Sequence, residues 1–138
     1  MAYNKIFVDS DILLDLLLKR EPFVVYSRAL LNRASAGLLS LYTSTLIMAN
    51  VHYLMTKNTN KAQAKEYIKF LTGLTTMLPF DPDNIQSVMN SDHVDFEDAI
   101  QFFIAEKHNC DLIISRNIKH YKKFHLPVLT AEQFLKTL

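Results

Sequence analysis

The stretch Ile6-Phe7-Val8-Asp9-Ser10-Asp11-Ile12-Leu13-Leu14-Asp15 places an acid between a purely apolar triplet and an apolar run cut by further acids. Ile6 to Val8 reads as a short buried strand. Ile12 to Leu18 reads as a helix that ends in the charged turn Lys19-Arg20-Glu21-Pro22. Asp9 therefore stands where a strand gives way to a helix. In open α/β sheets ligands bind in the crevice beyond the carboxyl ends of the strands, where side chains are accessible and the backbone behind them is rigid.

The alternation continues outward from this unit. Phe23 to Ala36 carries apolar residues at helical spacing, with Gly37 where a left-handed C-terminal residue belongs. Leu38 to Tyr42 follows as a second strand. Thr43-Ser44-Thr45 supplies N-cap chemistry for a helix through Leu54, and Asn60 does so for Lys61 to Leu71. Thr76 to Phe80 is a candidate third strand, and Asp81-Pro82-Asp83 opens a helix through Val88. Asp95-x-x-Asp98 starts the helix from Phe96 to about His108, Asp111 to Ser115 is the clearest buried strand, and a turn follows it. Pro127 to Leu129 gives a last short strand, and Thr130-Ala-Glu-Gln133 resembles a capping box for the terminal helix. Strands alternating with helices predict an α/β fold, a three-layer αβα sandwich around a central, mainly parallel sheet of roughly four to five strands.

The bulk properties narrow the function classes. At 138 residues and 49% hydrophobic content the chain suits one domain, residues 1–138, with one buried core. A net charge of +1 with 21% charged residues implies neither a polybasic nor a polyacidic partner, so any nucleic-acid contact must be local. The single cysteine, Cys110, excludes an internal disulfide and a multi-cysteine metal site, and reads as a small buried hydrophobe. Glycine occurs only at Gly37 and Gly73, which removes the glycine-rich phosphate cradles. No apolar run approaches the roughly 18 to 20 residues that span a bilayer, and the N-terminus resembles no signal peptide, so the expectation is a cytoplasmic protein with no membrane partner.

Hard cations such as Mg²⁺ take oxygen ligands and are usually held by one or two carboxylates. Asp9 and Asp98 are candidates for that pair, each near a helix start where the macrodipole favours an ionised carboxylate. The same spacing equally describes plain N-caps, with Asp95 and Asp98 as a capping pair.

Four blocks resemble the PIN domain family: Phe7-Val8-Asp9-Ser10-Asp11 through Asp15, Ser44-Thr45-Leu46-Ile47-Met48-Ala49-Asn50, Asp95-Phe96-Glu97-Asp98-Ala99, and Ile113-Ile114-Ser115-Arg116-Asn117 through Lys119. Their order matches from Ile6 to about Leu135, and the length is similar to that of single-domain members such as VapC-type toxins. The resemblance implies a Mg²⁺- or Mn²⁺-dependent ribonuclease that hydrolyses RNA phosphodiesters. It also implies catalytic roles for Asp9, Asp98, Asn50, Asn117 and Ser115, an antitoxin protein as partner, and a homodimer. Asn50 stands where many members carry Glu, and Asn117 where many carry Asp; each keeps a carbonyl oxygen and loses a charge. Asp11, and after it Asp95, are the acids nearest in sequence to restore it as metal ligands.

Single-stranded or structured RNA needs cations at the pocket rim, and Arg116, Lys119, His120, Lys122 and Lys123 cluster after Ser115, with Tyr121 and Phe124 interleaved. A solvated loop whose aromatics anchor it to the core is the commoner meaning of such a run. Two other functions compete. A PIN-like domain that has lost catalysis would bind nucleic acid or protein without cutting. Asp9-Ser10-Asp11 also matches the D-x-D of haloacid-dehalogenase-like phosphohydrolases, with Asp9 as nucleophile and Asp11 as acid, although Ile12-Leu13-Leu14 departs from the small residues expected there. His52, with no second His or Cys three or four positions on, reads as an ordinary helical residue.

Overall fold

The computed structural model describes residues 3–92, 95–121 and 124–138. Apolar triplets and helix caps lay out the elements in order: β1 (Ile6–Val8), α1 (Ser10–Leu17), α2 (Val24–Ser35), β2 (Leu41–Ser44), α3 (Thr45–Asn58), α4 (Lys61–Leu74), β3 (Thr75–Leu78), α5 (Pro82–Met89), α6 (Phe96–Lys107), β4 (Leu112–Ile114), a 3₁₀ turn (Ile118–Tyr121), β5 (Val128–Leu129) and α7 (Ala131–Leu135). The five strands pair in the order β3-β2-β1-β4-β5, and every pairing is parallel. A parallel strand flanked by helices on both faces buries all its side chains. Accordingly every residue of β1 and β4 is 0% exposed, and these two strands form the centre of the core.

Right-handed crossovers explain the layering. The chain steps from β1 to β2 to β3 toward one edge, and α1 to α4 pack with one another on one face; it then returns across the sheet to β4, with α5 packed on α6 against the other face. Helix α7 rejoins the first layer against α2. The direction of travel therefore reverses between β1 and β4.

Local chemistry decides the boundaries. Ser44, Asn60, Asp95 and Thr130 each accept a hydrogen bond from a backbone N–H in the first turn of α3, α4, α6 and α7. Gly37 takes φ 77 just beyond α2, the left-handed conformation its lack of a Cβ permits. The second strand lies three residues later than the apolar pattern predicts, at Leu41–Ser44, because its ladder begins where β1 offers a partner, Ile6 opposite Leu41; Leu38 is left 66% exposed. The third lies earlier than predicted, at Thr75–Leu78, and the Phe80 N–H instead meets Thr45 Oγ1 at 3.1 Å.

Candidate active site

The register brings the first acid to a defined place. β1 pairs with β4 as Ile6–Leu112, Phe7–Ile113 and Val8–Ile114, so the next residues, Asp9 and Ser115, lie side by side at the carboxyl edge, at the point where the strand order reverses. On the other side β2 ends at Ser44, one position past the level of Val8. Asp9 is 5% exposed and is held by three donors. Its Oδ1 accepts from the Ser10 N–H at 2.8 Å, while its Oδ2 accepts from Ser115 Oγ and from the Tyr121 hydroxyl, both at 2.9 Å. A carboxylate offers about four lone-pair directions, so one remains for a ligand.

Helix α6 delivers the second acid. Asp95 caps the helix by accepting the Asp98 N–H on Oδ1 at 2.9 Å, which fixes Asp98 in the first turn. Asp98 Oδ2 lies 2.6 Å from His120 Nδ1, and Asp95 Oδ2 lies 3.8 Å from the same nitrogen. One turn further along α6, the buried Gln101 accepts a hydrogen bond from Ser44 Oγ at 2.8 Å, tying α6 to the end of β2. Asp9, Ser10, Asn50, Glu97, Asp98 and Gln101 share a cavity of about 330 Å³ whose other walls include Phe80, Ile85 and Phe96. Asp9 and Asp98 thus face one pocket, with Asn50 exposed on its rim.

The remaining candidates go elsewhere. Asp11 Oδ2 accepts from the Arg116 N–H at 3.0 Å and stands 3.4 Å from Ser115 Oγ, whose one proton the closer Asp9 takes, whereas its Oδ1 is buried with no hydrogen-bond partner among the described residues. Asn117 is exposed, and its N–H donates to Ser115 Oγ at 3.0 Å. Arg116 departs most from a phosphate-binding role. Its Nε and Nη2 grip the wholly buried Asp15 carboxylate at 2.7 and 2.9 Å, and its guanidinium stacks on Phe23 at 4.0 Å. Lys119 is exposed, and Lys122 and Lys123 lie outside the described residues. His52 is exposed on α3 and Cys110 is buried, its thiol pushed up to about 11 by desolvation.

Sequence reading missed Gln101 as a wall of this pocket and Tyr121 as a donor to Asp9, and took His120 for a rim cation rather than the partner of Asp98. The faint signal for Gln101 is its spacing of three from Asp98, which puts both on one helix face. Tyr121 and His120 lay in the basic run, where only the 3₁₀ turn shows that one ring points inward and the next outward. We expect Tyr121→Phe, which deletes a donor to a buried carboxylate, to cost about 1.5 to 3 kcal/mol of stability. Urea unfolding checks this, and an unchanged midpoint would argue against the Asp9 bond.

Carboxylates gathered in a dry place repel. Asp11 is raised to about 7, chiefly by burial and then by the charge of Asp9. Asp98 is raised to about 6 by burial and by Asp9, against the opposing pull of His120. Such a set of hard oxygen donors suits a dication, which relieves the repulsion. A carboxyl whose folded pKa exceeds its unfolded one binds its proton more tightly when folded, so its stabilising contribution is present at low pH and is lost as pH rises through the folded value. In a chelator-containing buffer the melting temperature should therefore fall between about pH 4 and 7, after correction for the exposed acids. Saturating Mg²⁺ or Mn²⁺ should shrink that fall, because the ion favours the ionised form; a decline that metal leaves untouched would count against a cation at this pocket.

Fold and pocket together define a class, an α/β domain with an acidic cleft at the carboxyl edge of a parallel sheet. The PIN domain profile matches residues 5–119, and the chain belongs to the PIN domain family. Ribonuclease VapC1 of Aquifex aeolicus (strain VF5) is 28% identical over 139 residues, covering 97% of this chain and 95% of the relative. Among solved structures, a toxin-antitoxin complex from Klebsiella pneumoniae has a similar fold, with a TM-score of 0.67 at 18% identity over 91% of this chain and 96% of the other. Mycobacterium tuberculosis VapC20, described as a Sarcin-Ricin loop cleaving toxin, gives 0.61 at 14% identity, covering 78% and 86%. No described helix is long and apolar enough to cross a membrane.

Proposed function

We propose that the chain is a Mg²⁺- or Mn²⁺-dependent PIN-type endoribonuclease, the toxin of a toxin-antitoxin pair. The observation that carries this reading is the convergence of Asp9 and Asp98, far apart in sequence, on one pocket at the switch point of the sheet. The family membership and the similarity to Ribonuclease VapC1 support it.

When bound, a divalent cation makes water a better nucleophile and neutralises the leaving oxyanion of a phosphodiester. Asp9 and Asp98 supply the charged oxygens for it, and Asn50 supplies a neutral carbonyl from the rim. Ser115 and Tyr121 hold Asp9 in one orientation before substrate arrives. Phe96, 46% exposed on the rim, offers a face on which an RNA base can stack, and Lys119 offers a charge for the backbone. An antitoxin in this reading covers the pocket with a basic side chain, and the toxin pairs as a homodimer.

The test is cleavage of single-stranded RNA by the purified protein in Mg²⁺ or Mn²⁺, with chelator as control. Metal-dependent cutting that is lost in Asp9→Ala and in Asp98→Ala supports the reading. RNA binding without cutting would instead favour a docking module, the alternative that Asn50 and Asn117 motivate.

A further inference from the structure

We propose that the cavity between α1, α2 and α7 is a binding site for a neutral purine base, guanine before adenine. The cavity shares no wall residue with the acidic pocket, and it takes the base whether or not that pocket cuts RNA.

The cavity holds about 210 Å³, more than the roughly 150 Å³ that accommodates benzene, so a flat bicyclic ring fits. Phe23, Tyr26 and Ser27 line one side, at spacings of three and four that put them on one face at the start of α2. Asp15 and Arg116 line another side, and Glu132 stands in the first turn of α7. Two aromatic rings in the walls offer stacking to a planar ligand. Ser27 is the group that nothing in the fold accounts for. It is 1% exposed, yet its hydroxyl oxygen is buried with no hydrogen-bond partner among the described residues. Burying a hydroxyl unpaired is unfavourable, and a polar atom of a ligand in the cavity would complete it.

The charges in the walls are already balanced. Arg116 spends Nε and Nη2 on the buried Asp15 carboxylate, and Lys136 Nζ donates to Glu132 Oε2 at 2.9 Å. A phosphate therefore finds no uncompensated cation here, whereas directional hydrogen bonding remains. A guanidinium carries five N–H donors, of which Asp15 takes two, and Glu132 keeps one oxygen without a partner among the described residues. A fork of donors matches the O6 and N7 acceptors of guanine, and a carboxylate accepts from its N1–H and 2-amino group. Adenine puts an amino donor where guanine puts O6 and carries no proton on N1, so it suits both groups less well.

The experiment is an amide NMR titration of the isotope-labelled full chain with guanosine, adenosine, cytidine and uridine, in a chelator-containing buffer. Guanosine should shift the amides of Phe23, Tyr26, Ser27 and Arg116 saturably and bind at least about fivefold tighter than adenosine. Ser27→Ala should weaken guanosine binding about three- to tenfold. Glu132→Gln should weaken it about tenfold or more and change adenosine binding less than about twofold. Arg116 is kept in both variants, since it holds Asp15, and wild-type dispersion of their amide spectra shows the fold intact. An oligouridylate with one central guanosine, titrated in the same buffer, separates the sources of the base. Shifts at the same amides assign it to an RNA strand, and their absence beside a positive guanosine titration assigns it to a free nucleoside or nucleotide. The proposal is overturned by the lack of a saturable shift at these walls up to the solubility limit, or by equal affinity for guanosine and adenosine. Guanosine binding within about twofold of wild type in both variants would overturn it as well.

Discussion

Asp9→Ala is expected to lower cation-dependent RNA cleavage by on the order of 10² to 10³-fold, the scale on which a fixed polar group aimed at the reacting charge acts. The reason is geometric as well as electrostatic. Three donors take three of the lone-pair directions of Asp9 and leave one for the pocket, so no rotation of another side chain replaces it. Asp11, the nearest acid, is turned toward Ser115 and the Arg116 N–H. Asp9→Asn separates charge from shape: it keeps the volume and should lose cleavage to a similar degree. It should also bring the Asp11 carboxyl down from about 7, since the Asp9 charge is the second cause of that elevation. Carbon-detected NMR of the aspartate carboxyls reads the shift. Stabilisation by Mg²⁺ should be largely lost in the same variant, where an intact site would gain about 2.7 kcal/mol at 100 times the dissociation constant. Retention of more than about a tenth of the activity in Asp9→Ala would end the proposed chemistry.

Arg116→Ala is expected to act on folding far more than on RNA affinity. Asp15 is wholly buried, and the bidentate Arg116 is its main counter-charge; Arg20, 42% exposed at 3.7 Å, is a poor substitute. Removing one partner of a buried ion pair strands the other charge and costs about 3 to 5 kcal/mol, a large part of the roughly 5 to 15 kcal/mol that holds a domain together. The melting temperature should drop by about 10 °C or more. Arg116→Lys should rescue only part, since an ammonium cannot match both oxygens or stack on Phe23. The double change Asp15→Leu with Arg116→Met should be milder than Arg116→Ala alone, because no buried charge is left unpaired. If instead Arg116→Ala melts like wild type and merely binds RNA more weakly, the residue belongs to the nucleic-acid interface after all.

Much of the fold could be read directly from local chemistry. The apolar triplet before Asp9, the apolar strand before Ser115, and the caps at Ser44, Asn60, Asp95 and Thr130 all follow from rules of neighbouring residues, and the structure places elements at each. Strand boundaries were less readable, as with Leu38 and Leu39. Hydrophobicity marks what can be buried, whereas a ladder begins only where the neighbouring strand offers a partner.

For the site, the sequence by itself determined the inventory: acids at the ends of strands and starts of helices, and a basic, aromatic run after β4. Those features depend on neighbours along the chain, which hydrogen-bond and cap locally. Only the tertiary structure decided the assignments. Strand register set Asp9 beside Ser115, the crossover brought Asp98 into the same cavity, Asp15 claimed Arg116, and the 3₁₀ turn aimed Tyr121 at Asp9 and His120 at Asp98. Each of these partners lies more than twenty residues away along the chain, where only the packing of the core fixes which charge meets which.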